Sequence, residues 1–156
     1  MEPLIVVIAL GGNALLQRGE PVSAENQRKN MRTAGASIAQ VAQNHHVVLT
    51  HGNGPQVGLL ALQAHAMGDG NGFPLDVLDA QTEGMIGYVI EQELANLLPE
   101  GRACATLLTR VEVDGRDPAF TDPSKPIGPL YAEAEARALA RDRGWTVAQE
   151  EGGYRR

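Results

Sequence analysis

Twice within its first sixty residues the chain runs an unbroken apolar stretch into a glycine-asparagine turn. Leu4 to Leu10 leads into Gly11-Gly12-Asn13-Ala14, and Val47-Val48-Leu49-Thr50 leads into His51-Gly52-Asn53-Gly54-Pro55-Gln56. Apolar strands without alternation suit a parallel sheet covered on both faces, so both stretches are predicted as buried strands. After the first turn Gln17 to Pro21 is polar. Ser23 then caps a predicted helix reaching about Asn44, with Met31, Ala34, Ile38, Val41 and Ala42 at helical spacing. Pro55 suits the first turn of another helix, which continues through Val57, Leu60, Ala61, Ala64 and Met67. Asn53-Gly54 also fits a hairpin turn, but a hairpin needs an alternating strand next, and residues 55–63 have helical spacing.

Gly68 to Pro74 reads as a loop, and a long helix follows from about Asp76 to Leu98, ended by Pro99 and Gly101. Ala103 to Val113 is expected as a third strand, and Asp114 to Pro129, rich in proline, glycine and aspartate, as an excursion from the main body. A helix from about Glu133 to Arg143 follows, and Trp145-Thr146-Val147 is the expected start of a further short strand. The alternation implies an α/β sandwich with right-handed crossovers. It divides into a main body over 1–113, a protruding segment over 114–130, and a helix with the start of a following strand over 131–156. So small a buried sheet leaves an edge and part of each face uncovered, so the chain is expected to be truncated.

Helix N-termini that follow glycine turns offer unpaired N–H donors and roughly +0.5 of a charge. Two of them side by side suit an anion, with phosphate the leading candidate. The plain alternative is a pair of tight strand-to-helix connections with no ligand. The P-loop pattern is absent. The dinucleotide pattern is nearly present at Gly52, Gly54 and Gly58, but its last glycine is one residue late and the acidic ribose partner is missing.

Composition narrows the classes. The 156 residues suit one domain, 43% are hydrophobic, and the net charge of −6 with 4% aromatics disfavours a nucleic-acid surface. The single cysteine, Cys104, lies in an apolar run and is expected as a buried structural thiol. The N-terminal apolar run is too short for a membrane span and lacks the basic start of a signal peptide, so a cytoplasmic protein without membrane contact is expected. His51 is expected to orient its loop, His45 and His46 to be solvated, and Asp76 to cap its helix, with a substrate role for Asp76 as the alternative. Gly84 and Gly87 are expected to mark close packing, and no cluster has the spacing of a metal site.

Ile8-Ala9-Leu10-Gly11-Gly12-Asn13-Ala14-Leu15 and Thr50-His51-Gly52-Asn53-Gly54-Pro55-Gln56-Val57-Gly58 resemble the signature loops of carbamate kinases. Pro74-Leu75-Asp76, Ile86-Gly87-Tyr88 and Lys125-Pro126-Ile127-Gly128-Pro129 fit the same family in the same order. The resemblance implies the amino-acid-kinase fold, an α/β three-layer sandwich with a mainly parallel sheet and a small protruding loop subdomain, here truncated to the N-terminal half. It implies reversible phosphoryl transfer between ATP and carbamate, making ATP from carbamoyl phosphate and ADP in arginine and nitrogen catabolism. It further implies ATP/ADP with Mg2+ bound by a second half that this sequence lacks, a small-molecule acceptor, and a homodimer. Many members of that fold carry a lysine just before the paired glycines, where Ala9-Leu10 stands here, which argues against acetylglutamate, aspartate and uridylate kinases. The resemblance places the transferring phosphoryl group on Gly11, Gly12 and Asn13, and carbamate or its phosphate on Gly52, Asn53, Gly54 and Gln56. Lys125, with Gly12 and Asn13, is the expected catalytic set. The alternative is an inactive half-domain that binds an anion or serves as an assembly module.

Overall fold

The computed structural model describes residues 2–17, 19–66, 73–122, 124–126 and 130–155. They fall into two compact units, one formed by Met1–Asn53 with Asp79–Leu108, the other by Gly54–Leu78 with Thr109–Arg156.

In the first unit, β1 (Ile5–Leu10) and β2 (His46–His51) pair in parallel, with Ile5 opposite His46 and Leu10 opposite His51. Helix α2 (Ala24–Ala42) connects them, and α4 (Leu75–Ala95) contributes its stretch from Asp79 onward. Leu10, Leu15, Met31, Ile38, Ile86, Ile90 and Leu94 form the buried core, with Ile8, Val47, Leu49 and Cys104 packed against it. Full burial of each such side chain stabilises the fold by about 1.5–3 kcal/mol. The apolar stripes of α2 and α4 therefore meet one face of the sheet.

The Ser23 hydroxyl caps α2, accepting from the Asn26 N–H at 3.2 Å. Across the two helices, Arg32 donates to both oxygens of Glu93, at 2.8 and 3.1 Å, and Arg28 donates to Gln92 at 3.0 Å. The guanidinium holds the Glu93 carboxyl below the usual carboxylate range. A Cβ on Gly35 would stand 2.9 Å from Leu97 Cδ1, so this glycine lets α2 approach the end of α4 closely.

Two expectations change here. Burial alternates along both strands, leaving Ile5 73% and Val7 65% exposed, whereas unbroken apolar runs had implied cover on both faces. And residues 103–113 form no strand. Apolar content makes a segment extended, but a strand also needs a neighbouring backbone to complete its hydrogen-bond ladder, and this segment has none among the described residues. It instead meets α4, where Thr106 occupies the space that a Cβ on Gly87 would need and donates to Glu91 at 3.1 Å. Close packing thus accounts for Gly87. It does not account for Gly84, whose Cβ would meet nothing within 4 Å. Asp76 lies inside the first turn of α4 rather than at its cap: the Pro74 carbonyl accepts from Val77 at 3.0 Å and from Leu78 at 3.1 Å.

The second unit contains α3 (Gly54–Ala66), a 3-10 turn over Pro118–Phe120 and α5 (Glu133–Arg143). Asp117 caps the 3-10 turn, accepting from the Ala119 N–H at 2.8 Å. Gly144, at φ 65°, ends α5 in the left-handed region that glycine favours. The short strand expected at Trp145 begins later, as β3 (Ala148–Glu150), and turns back as β4 (Gly153–Arg155) in an antiparallel hairpin. Tyr131 bridges to Tyr154 beside it. Met67, most of the Gly68–Pro74 loop and the Ile127-Gly128-Pro129 part of the lysine segment lie outside the described residues. No described helix is long and apolar enough to cross a membrane.

Candidate anion site at two adjacent turns

Parallel pairing in register fixes the geometry of the first unit's chain turns. Leu10 and His51 are opposite one another at the ends of β1 and β2, so Gly11-Gly12-Asn13 and Gly52-Asn53 leave the sheet at the same end. Neighbouring strands lie about 4.8 Å apart, so these turns begin side by side.

Gly11, extended at φ −66° and ψ 164°, precedes the single turn of α1 (Gly12–Leu15). Its carbonyl accepts from the Ala14 N–H at 2.9 Å, and that of Gly12 accepts from Leu16 at 2.9 Å. The N–H groups of Gly12 and Asn13, at the start of a helical turn, have no acceptor within it. Gly11, Gly12, Asn13 and Gly52 are all exposed. A Cβ on Gly11, Gly12, Gly52 or Gly54 would meet nothing within 4 Å, and none of the four has a positive φ. At Gly11, Gly12 and Gly52 folding therefore places no demand for glycine, while Gly54 precedes Pro55 in a helical conformation that a Cβ disfavours; what glycine adds at the turns is bare backbone open to close approach.

The chain after the first turn is tied to α2. Glu20 accepts from the Asn30 side chain at 2.6 Å and from the Gln17 N–H at 3.0 Å, and Asn30 also reaches the Leu15 carbonyl at 3.4 Å. These bonds, that from Asn30 first, hold the Glu20 carboxyl below its ordinary range.

The second turn is tied to α4. Asn53 Nδ2 donates to Asp79 Oδ1 at 2.8 Å and to Thr82 Oγ1 at 2.7 Å, and the Thr82 hydroxyl donates to the Asp79 carbonyl at 2.8 Å. Thr82 is fully buried. Neither Asp79 nor Thr82 stood out in the sequence. The available signal was Thr82 itself, a polar residue one turn before Ile86 on the buried stripe of α4, because a polar group in such a place needs a partner. His51 Nδ1 lies 3.2 Å from the Gly52 carbonyl. A carbonyl only accepts, so this nitrogen carries the proton in that bond, which fits an orienting role. His45 is more than solvated, since its Nδ1 accepts from the Leu4 N–H at 3.2 Å.

Gly54, Gln56 and Lys125 belong to the second unit. Gly54 opens α3, Gln56 is buried in its first turn with no hydrogen-bond partner for Oε1 among the described residues, and Lys125 is exposed. Cys104 packs against the core, and burial raises its thiol pKa, which weakens it as a nucleophile. Among the described residues no group of three or more His, Cys, Asp or Glu side chains could hold a metal ion.

No family model matches the chain. It is 59% identical over 151 residues to the carbamate kinase of Haemophilus influenzae and 56% identical over 151 residues to that of Rhizobium meliloti, each match covering 97% of this chain. Over nearly its whole length the chain is similar to carbamate kinases. It spans about half the length of the curated relatives it matches, 49% and 47% of these two. Among solved structures it is similar to carbamate kinase from Giardia lamblia bound to citric acid, with a TM-score of 0.89 and 40% identity over 99% of this chain and 51% of that one. The Giardia enzyme bound to AMP-PNP matches with a TM-score of 0.75 at 40% identity, over 99% of this chain and 51% of that one. The fold is accordingly α/β with a parallel sheet, as in carbamate kinases.

Proposed function

We propose that this chain forms the acceptor-binding half of a carbamate kinase, which transfers a phosphoryl group reversibly between ATP and carbamate. The observation that carries this reading is the in-register pairing of Leu10 with His51, which starts two glycine-asparagine turns side by side in a chain similar to carbamate kinases. In the forward direction the carbamate oxygen attacks the γ-phosphorus, the bond to the β,γ-bridging oxygen breaks, and ADP leaves. Carbamate already carries its negative oxygen, so no general base is needed. Such a transition state is loose, and catalysis consists of positioning and charge neutralisation. Gly11, Gly12 and Asn13 are assigned the transferring phosphoryl group, Gly52, Asn53, Gly54 and Gln56 the carbamate or its phosphate, and Lys125 the neutralising charge.

A Giardia relative bound to AMP-PNP supports an adenine nucleotide as the second substrate. Its binding residues and the accompanying Mg2+ are assigned to a second half of the kind the relatives possess. The described residues hold no group suited to a metal, so no step here passes through one. The full architecture in this reading is a three-layer sandwich. Residues 1–113 form the acceptor part, 114–130 a protruding subdomain segment and 131–156 a helix with the start of the next strand. The resemblance extends to a cytoplasmic homodimer and to arginine catabolism.

The test is ATP formation from carbamoyl phosphate and ADP. The 156-residue chain alone is expected to be silent. Fusion to the second half of the Haemophilus influenzae enzyme is expected to restore turnover. A folded fusion that makes no ATP would overturn the reading. Anion binding by the chain alone, alongside an inactive fusion, would favour the half-domain alternative, which the exposed faces of β1 and β2 otherwise leave open.

A further inference from the structure

The side chain of Asn53 has both of its N–H bonds directed away from solvent. One reaches Asp79 Oδ1 at 2.8 Å, the other Thr82 Oγ1 at 2.7 Å, and a carboxamide has only two such hydrogens. Thr82 Oγ1 is itself held, because its proton goes to the Asp79 carbonyl at 2.8 Å, and the residue is fully buried. The Thr82 acceptor on α4 is thus fixed before any ligand arrives. Asn53 and Asp79 are also the residues at which the chain leaves the first unit and re-enters it, so this bond closes the excursion of residues 54–78.

We infer that Asp79 and Thr82 are positioning residues for the acceptor turn, and that Asn53 meets the ligand through its backbone N–H while its side-chain amide serves as the tie. This rests on the reading that Gly52-Asn53-Gly54 holds carbamate or its phosphate. A side-chain donation from Asn53 to a ligand oxygen would require breaking a bond to a held partner. Backbone donation requires no such loss.

The experiment is a carbamoyl phosphate titration of the 15N-labelled 156-residue chain, with solvent exchange of the Asn53 side-chain amide measured in parallel. Backbone amides of residues 52–54 are expected to shift, while the Asn53 side-chain signals stay in place and exchange slowly. Two substitutions separate positioning from packing. Thr82→Val keeps the buried volume but loses the acceptor, and Thr82→Ser keeps the acceptor but loses a methyl group. Thr82→Val is expected to speed side-chain exchange at least tenfold and weaken carbamoyl phosphate binding by a similar factor. Thr82→Ser is expected to bind like the parent despite a lower melting temperature. Asp79→Asn, which retains a carbonyl acceptor, is expected to rescue what Asp79→Ala loses. Binding that follows melting temperature across these variants would overturn the inference, as would ligand-induced shifts centred on the Asn53 side chain. If the parent binds no carbamoyl phosphate, the functional reading fails. The exchange data then judge the tie separately, with fast exchange in the parent ruling it out.

Discussion

Glycine at the two turns can serve folding or ligand approach, and alanine separates the two. Take Gly12→Ala and Gly54→Ala. Among the described residues neither new Cβ meets a non-neighbouring atom within 4 Å and neither glycine has a positive φ, so the folded state accepts Gly12→Ala without strain, whereas a helical alanine at position 54 is disfavoured by the Pro55 that follows it. Alanine narrows the unfolded ensemble, which at a compatible site such as Gly12 stabilises by about 0.4–1 kcal/mol. For a chain of this size that corresponds to a melting temperature raised by roughly 1–4 °C. Binding should move the other way. A methyl group in front of the N–H donors holds a phosphoryl oxygen out of reach, and each charge-assisted bond lost costs about 1.5–3 kcal/mol. The dissociation constant for carbamoyl phosphate should therefore rise about 10- to 150-fold. Thermal melts and a ligand titration on the same samples give both numbers. Gly115→Ala is the control, since it too is open to solvent without a positive φ but lies far along the chain from either turn. Parent-like affinity in both variants would refute the assignment of the turns. A melting temperature lowered by several degrees in Gly12→Ala would show that folding, and not the ligand, requires this glycine.

On α4, Gly84→Ala should stabilise by about 0.5–1 kcal/mol through helix propensity, as its Cβ meets nothing. Gly87→Ala gains the same propensity but drives its methyl into Thr106, an overpacking cost of about 1–3 kcal/mol. Urea denaturation should rank Gly87→Ala at least about 1 kcal/mol below Gly84→Ala, with Thr106→Ala narrowing the gap; equal stabilities would contradict the packing. Glu93 has a folded pKa below its unfolded one, so its pairing with Arg32 stabilises above the unfolded carboxylate range and is lost as pH falls through the folded value. The stability deficit of Glu93→Gln at neutral pH should therefore shrink on acidification, and a pH-independent deficit in denaturation curves would rule this out. In the fused enzyme, Lys125→Ala should lower kcat with little change in folding, measured by coupled ATP formation; an unchanged kcat would remove Lys125 from the catalytic set.

Local signals carried much of the fold. Ser23 announced the start of α2, since a hydroxyl before an apolar-periodic run satisfies an otherwise unpaired N–H, and the structure shows that bond. The bounds of α5 followed from its alanine-rich composition, and those of β1 and β2 from apolar runs stopped by glycine. What stayed hidden was relational. Residues 103–113 have the composition of a strand, but strand identity belongs to a pair of backbones and cannot be read from one. The exposed faces of Ile5 and Val7 are hidden for the same reason, because a sequence states that a residue is apolar and not what lies over it. In the site, the glycine-asparagine turns were legible and their ties were not: Asn53 reaches partners 26 and 29 residues away, beyond any periodicity.

Those ties converge on one element. The stretch of α4 in the first unit presents Ile86, Ile90 and Leu94 to the core, and several departures from that simple stripe mark meetings with other segments, Gly84 being the exception. Thr82, polar on the apolar side, receives the second turn. Gly87, a poor helix former in mid-helix, admits Thr106. Gln92 and Glu93 are grasped by Arg28 and Arg32 of α2. A helix free of such exceptions would pack as well against the sheet but would hold no turn in place. Of these, Thr82, together with Asp79, is the one through which the core's rigidity reaches the turn at the end of β2. That is why a buried hydroxyl, one removed from any ligand, is the position at which affinity and stability should part.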